Sequence, residues 1–134
     1  MMQNYKSPAK INLFLNVINK RSDGYHEIQS IFQLIDLHDE ISINIRKDSQ
    51  INLNSNKKKI IKDNLIFTAI EKFLEYTKIK QIGMDIFLKK NIPIGSGLGG
   101  GSSNAAIVLL AMNKIYNSKL RISQLRTIAN SIGS

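Results

Sequence analysis

Between Pro93 and Ser103, five of eleven residues are glycine. Glycine loses more conformational freedom on folding than any other residue, so such a run serves as a linker or as backbone that must approach something closely. Its flanks favour the second use. Upstream, Ile82, Met84, Ile86 and Leu88 alternate with other residues and predict a strand to about Lys90. Downstream, Ala105, Leu109, Met112 and Tyr116 recur at helical spacing, with Ala106 and Leu110 beside them, and predict a helix that begins at Ser102 and Ser103. A glycine loop between a strand and a helix lets backbone N–H groups converge on an anion at the positive end of the helix dipole. Pro93, Ile94, Gly95, Ser96, Gly97, Leu98, Gly99, Gly100, Gly101, Ser102 and Ser103 are therefore a candidate cradle for nucleotide phosphates. Either serine can donate to phosphate, and Ser103 is a candidate Mg2+ ligand. A flexible hinge is the plain alternative, against which stands Pro93, stiffening the entry.

Two familiar phosphate loops do not fit. A P-loop ends in Gly-Lys-Ser/Thr, whereas this run ends Gly-Gly-Ser-Ser. The G-x-G-x-x-G spacing occurs at Gly95, Gly97 and Gly100. A dinucleotide fold, however, also asks for an acidic residue about 20 positions on, and residues 117–125 contain none.

The remaining pattern is α+β. Alternation predicts a first strand over 7–19, a second over 27–37, a third through Ile41, Ile43 and Ile45, and a short one at Ile51–Leu53. Arg21-Ser22-Asp23-Gly24 reads as a turn. Asp63 is the expected cap of a helix whose stripe is Ile66, Ala69, Ile70, Phe73 and Leu74. Ser123 is the expected cap of a last helix carrying Leu125, Ile128, Ala129 and Ile132, with Gly133 closing it. His38 stands beside Asp36, Asp39 and Glu40 without an evident third metal ligand, and reads as a solvated turn. One domain, residues 1–134, accommodates everything.

The chain carries 19 basic and 10 acidic residues, a formal charge of +9. That balance suits polyanions, but lysine outnumbers arginine 15 to 4 and no nucleic-acid recognition module is visible, so no nucleic-acid partner is expected. The polar, lysine-rich stretch from Asn54 to Lys59 reads as a solvated loop. No cysteine is present, which excludes disulfides and thiol catalysis. No apolar run approaches the roughly 18–20 residues of a membrane span, and a secretory signal is not evident, so a cytoplasmic protein without a membrane partner is expected.

The run Pro93-x-x-x-Gly97-Leu98-Gly99 followed by serines resembles the phosphate loop of the GHMP kinases, which phosphorylate small alcohols and acids. Three stretches narrow the resemblance: Ser7-Pro8-Ala9-Lys10-Ile11-Asn12, Arg21-Ser22-Asp23-Gly24-Tyr25-His26, and the long form Gly97-Leu98-Gly99-Gly100-Gly101-Ser102-Ser103-Asn104. They resemble the branch that acts on cytidine-diphosphate methylerythritol in the non-mevalonate isoprenoid pathway. The resemblance implies a nucleotide-binding domain whose fold is shared with a domain of ribosomal proteins. It also implies ATP, as Mg-ATP, as phosphate donor to a tertiary hydroxyl. It assigns Lys10 to the reacting groups, Asn12, Tyr25 and His26 to the cytidine-diphosphate substrate, and Asn64, Leu65 and Lys90 to the adenine pocket. It places a catalytic aspartate just beyond Ser134, and a ferredoxin-like domain beyond that, so the 134 residues alone are expected to be inactive. Homoserine or mevalonate kinase, and an RNA-binding module, are the competing readings.

Overall fold

The computed structural model describes residues 2–20, 26–57, 64–93 and 100–132. Strands β1 (Met2–Lys20), β2 (His26–Ile45), β3 (Ile51–Ser55) and β4 (Met84–Lys89) join helices α1 (Leu65–Thr77), α2 (Gly100–Ile115) and α3 (Ile122–Ile132). The sheet order is β1-β2-β4-β3. β1 and β2 pair antiparallel along a long ribbon, and β2 pairs antiparallel with β4. β3 and β4 run parallel, which requires a crossover, and α1 provides it.

Alternation builds the sheet's two faces. Ile41 and Ile43 of β2, Leu53 of β3, and Met84, Ile86 and Leu88 of β4 are buried. Asn44, Asn52, Asn54 and Phe87 face solvent. The helices cover the buried face. Ile66, Ala69, Ile70 and Phe73 of α1 meet Ala105, Val108, Leu109, Ala111 and Met112 of α2, with Leu125 and Ile128 of α3 completing the core. Burying each large apolar side chain contributes about 1.5–3 kcal/mol. Tyr116 lies past the end of α2, stacks on Phe73 at 5.9 Å between centroids, and accepts the Ile82 N–H.

Several boundaries differ from the sequence reading. The expected second and third strands are one strand, β2, so Asp36 to Glu40 is not a turn. Residue 39 keeps the phase of Ile41 and Ile43, and Asp39 is fully buried rather than solvated. The cap of α1 is Asn64, whose side chain accepts the Ile66 N–H at 2.8 Å. Asp63 lies outside the described residues, as do the turn at 21–24 and Gly133. Ser123 falls inside the first turn of α3. Gln124 reaches back instead to accept the Arg121 N–H at 2.9 Å, half of a capping box. Helix α2 begins at Gly100, before the serines. Ala106 and Leu110 lie on its exposed side.

Candidate nucleotide site

The end of β4 and the head of α2 flank the glycine-rich segment. Ile94, Gly95, Ser96, Gly97, Leu98 and Gly99 lie outside the described residues; Pro93 and Gly100 stand at their two ends. The approach to Pro93 is held on both sides. Asn56, just past β3, accepts the Lys90 N–H at 2.7 Å and donates to the Lys90 carbonyl at 3.2 Å. From β2, Asp39 Oδ2 accepts Lys90 Nζ at 2.6 Å, and Asp39 Oδ1 accepts the Asn91 and Ile92 N–H groups at 2.7 and 2.8 Å. Asn91 Nδ2 donates to the His38 carbonyl. The Asp39 side chain is 0% and the Lys90 side chain 7% exposed. Asp39 of β2 and Lys90, one residue past β4, each keep the phase of the adjoining apolar row, and the two meet at the same end of the sheet.

Lys90 lies under the start of α2. A Cβ on Gly100 would sit 2.7 Å from Lys90 Nζ and 3.1 Å from Ile92 Cγ2. The ammonium is pinned by Asp39, so it cannot swing aside cheaply. Among the described residues Gly101 is less confined: its Cβ would touch only Leu65 Cδ1, at 3.6 Å. That contact brings the head of α1, with Asn64 and Leu65, beside the head of α2. The first turn of α2 contains no acidic residue, which leaves its positive dipole end uncompensated for an anion.

Strand β1 closes another side. Ser7, fully buried, donates to Ser103 Oγ at 3.0 Å. Lys10 lies three residues further along β1, about 10 Å at strand rise, and pairs with Leu34; Asn12 pairs with Phe32. The strands holding Lys10 and Lys90, expected from the sequence to pair or to lie close enough to share one cleft, are not neighbours: β2 lies between them. His26 opens β2 opposite Lys20 at the far end of the ribbon. Register shifts at Pro8/Lys10, Asn12/Phe14 and Val17/Lys20 mark points of bending and added twist along it. Tyr25, and the side chains of Lys10, Asn12 and His26, lie outside the described residues.

Asn104 is 2% exposed, and its Oδ1 has no hydrogen-bond partner among the described residues. The sequence reading places Asp39 in a solvated turn and Asn104 in the family-like motif, and gives neither a role in the site. Asp39 was legible from its phase with Ile41 and Ile43; Asn104 carried no signal beyond the family-like motif. Among the described residues no group of three or more His, Asp or Glu could hold a metal ion. Among the same residues no helix is long and apolar enough to cross a membrane.

Residues 64–134 match the family described as GHMP kinases N terminal domain. The chain is 46% identical over 134 residues to the 4-diphosphocytidyl-2-C-methyl-D-erythritol kinase of Francisella philomiragia, spanning 99% of this chain and 49% of the relative. It is 47% identical to the Prochlorococcus marinus protein of the same name, spanning 96% of this chain and 42% of that one. It spans about half the length of the curated relatives it matches. A solved structure of 4-(cytidine 5'-diphospho)-2C-methyl-D-erythritol kinase superposes with a TM-score of 0.81 at 35% identity, over 98% of this chain and 46% of the other. The Methanococcus jannaschii mevalonate kinase shares the fold, with a TM-score of 0.76 at 24% identity, over 98% of this chain and 46% of the other.

Proposed function

The chain belongs to the GHMP kinases, and from that premise we propose that it forms the ATP-binding part of a kinase acting on 4-diphosphocytidyl-2-C-methyl-D-erythritol. In the transfer, the bond between the γ-phosphorus and the ADP oxygen breaks. A bond from the same phosphorus to the tertiary hydroxyl oxygen forms, and the hydroxyl proton departs. Such transfers rest on positioning and charge stabilisation. The segment from Pro93 to Ser103 cradles the phosphates. Asn64 and Leu65, beside the head of α2, line the adenine side together with Lys90. Lys10 holds positive charge near the γ-phosphate and the hydroxyl. Asn12 binds the polyol end of the acceptor, and Tyr25 and His26 bind its cytosine. Mg2+ enters with ATP, since magnesium usually takes its ligands from substrate phosphates plus one or two protein groups. Ser103 is the candidate protein ligand, and bound magnesium would neutralise charge on the β- and γ-oxygens. The setting is cytosolic.

The observation that carries this reading is the Ser7–Ser103 hydrogen bond. It sets the strand of Lys10 and Asn12 against the helix that follows the glycines, so that donor and acceptor can share one cleft, as near-attack contact demands. The test is ATP-dependent phosphorylation by the whole protein, with 4-diphosphocytidyl-2-C-methyl-D-erythritol, mevalonate and homoserine as competing acceptors. Only the first is expected to turn over, and Lys10→Ala is expected to cost about 10²–10³-fold in kcat. Turnover of mevalonate or homoserine instead, or salt-steep RNA binding without turnover, would refute the reading.

A further inference from the structure

We propose that Asp39 is a positioning residue for the nucleotide phosphates, acting through Lys90 and the entry of the glycine segment. The proposal rests on the nucleotide reading above and assigns a role to a side chain that reading does not use. One carboxylate fixes three successive residues: it holds the ammonium of Lys90 and the backbone N–H groups of Asn91 and Ile92. Those residues lead directly into Pro93 and the glycines. The held ammonium, with Ile92, forms the floor on which Gly100 rests. Asp39 therefore sets how the entry at Asn91 and Ile92 sits against Gly100, and with it how the free N–H groups at the head of α2 are presented.

The placement is not one that stability alone selects. An ion pair this deeply buried recovers little beyond its own desolvation, and apolar side chains of similar volume often do as well or better. Its effect here is geometric. With an amide in its place, Oδ1 still accepts the Asn91 and Ile92 N–H groups, but Nδ2 faces the ammonium donor to donor, so Lys90 loses its anchor and Gly100 its defined floor. Displacements of about 1 Å in a positioning element are enough to cost a large factor in function.

The experiment titrates ATP, inorganic tripolyphosphate and adenosine into the wild type and Asp39→Asn by calorimetry. Asp39→Asn is expected to weaken ATP and tripolyphosphate about tenfold or more, and adenosine markedly less, because adenosine keeps Asn64 and Leu65 while the phosphates depend on the placement of the head of α2. Unchanged tripolyphosphate affinity in a folded variant overturns the proposal. Equal weakening of adenosine and ATP does so too, since that is what a merely structural residue would give. A second measurement needs no variant: amide hydrogen exchange on the wild type. The Asn91 and Ile92 amides should exchange slowly, and more slowly still with tripolyphosphate bound but not with adenosine. Fast exchange, or no response to tripolyphosphate, overturns the proposal even if Asp39→Asn fails to fold. A wild type that binds neither ATP nor tripolyphosphate would refute the nucleotide reading itself, an outcome distinct from a bound wild type matched by its variant.

Discussion

Two corners of this molecule combine a confined glycine with an acid–base cluster, and they do so for opposite reasons. At Gly83, just before β4, the N–H donates to the Asp48 carbonyl at 2.8 Å and the carbonyl accepts the Arg46 N–H at 2.8 Å. A Cβ there would run into the Asp48 carbonyl group, 2.9 Å from its carbon. Backbone cannot swing away, so main-chain packing alone demands glycine. The charges around it are surface features. Arg46 bonds Asp48 at 2.8 and 2.6 Å and Asp85 at 2.9 Å, yet both carboxylates remain about half exposed. At Gly100 the obstacle is the tip of a side chain, which would ordinarily move. It stays because Asp39 holds it in the dark interior of the fold. The first corner would survive losing its charges; the second is made of them.

Removing one partner at each corner tests that contrast. The largest effect is expected from Lys90→Met, which strands the Asp39 carboxylate: about 3–5 kcal/mol lost in urea unfolding. Adding Asp39→Asn to it should recover most of the loss, since the pair acts as a unit. A loss below about 1 kcal/mol, the range of exposed pairs, would erase the distinction between the corners. Gly83→Ala comes next, at about 1–3 kcal/mol from forced backbone displacement, with ATP affinity measured in parallel and expected to stay unchanged. A fall in ATP affinity there would mean that the two corners communicate.

The smallest effect is expected from Arg46→Ala, and pH sharpens it. Side-chain hydrogen bonds from Arg46, then the Gln50 N–H, hold the Asp48 carboxyl down at about 2, below its usual 3.8. Arg46 likewise lowers Asp85, with help from Asn52. A depressed folded-state pKa stabilises the fold in full above the unfolded value and loses that contribution as pH falls through the folded one. Wild type and Arg46→Ala should therefore differ slightly in urea midpoint at pH 6 and converge near pH 2, with the difference shrinking in high salt. A gap that persists at pH 2 would assign Arg46 a packing role instead.

Much of this was legible before any coordinates. The strand–glycine–helix order around Pro93 and Ser103 followed from periodicity, because the apolar rows of β4 and α2 are regular. The break placed between residues 37 and 41 was an error with a cause. Four polar residues in five look like a turn, but polar residues on the open face of a sheet cost a strand nothing, and Asp39 was still in phase with Ile41. The same rule was available at Lys90, in phase with Leu88, Ile86 and Met84. Two oppositely charged residues at the ends of apolar rows signal a buried pair only once the strands are known to be neighbours. Glu40 pairs with Lys89 across 49 positions of sequence, and no local pattern reports that. Caps were misplaced by one or two residues for a similar reason. Asp63 and Asn64 are both good cap types, and the choice between them turns on backbone dihedrals.

The strand order has a consequence for how the chain is made. Of the four described strands β4 is the last to be made, yet it takes a central place between β2 and β3. At about 5–20 residues per second, β2 waits several seconds with its inner edge unclaimed. An unclaimed edge invites the wrong strand, and a charge on it is a common deterrent. Asp39 lies toward the end of that edge, and a hydrated carboxylate there opposes the docking of a foreign strand. In the finished sheet its partner is Lys90, which arrives with β4 itself.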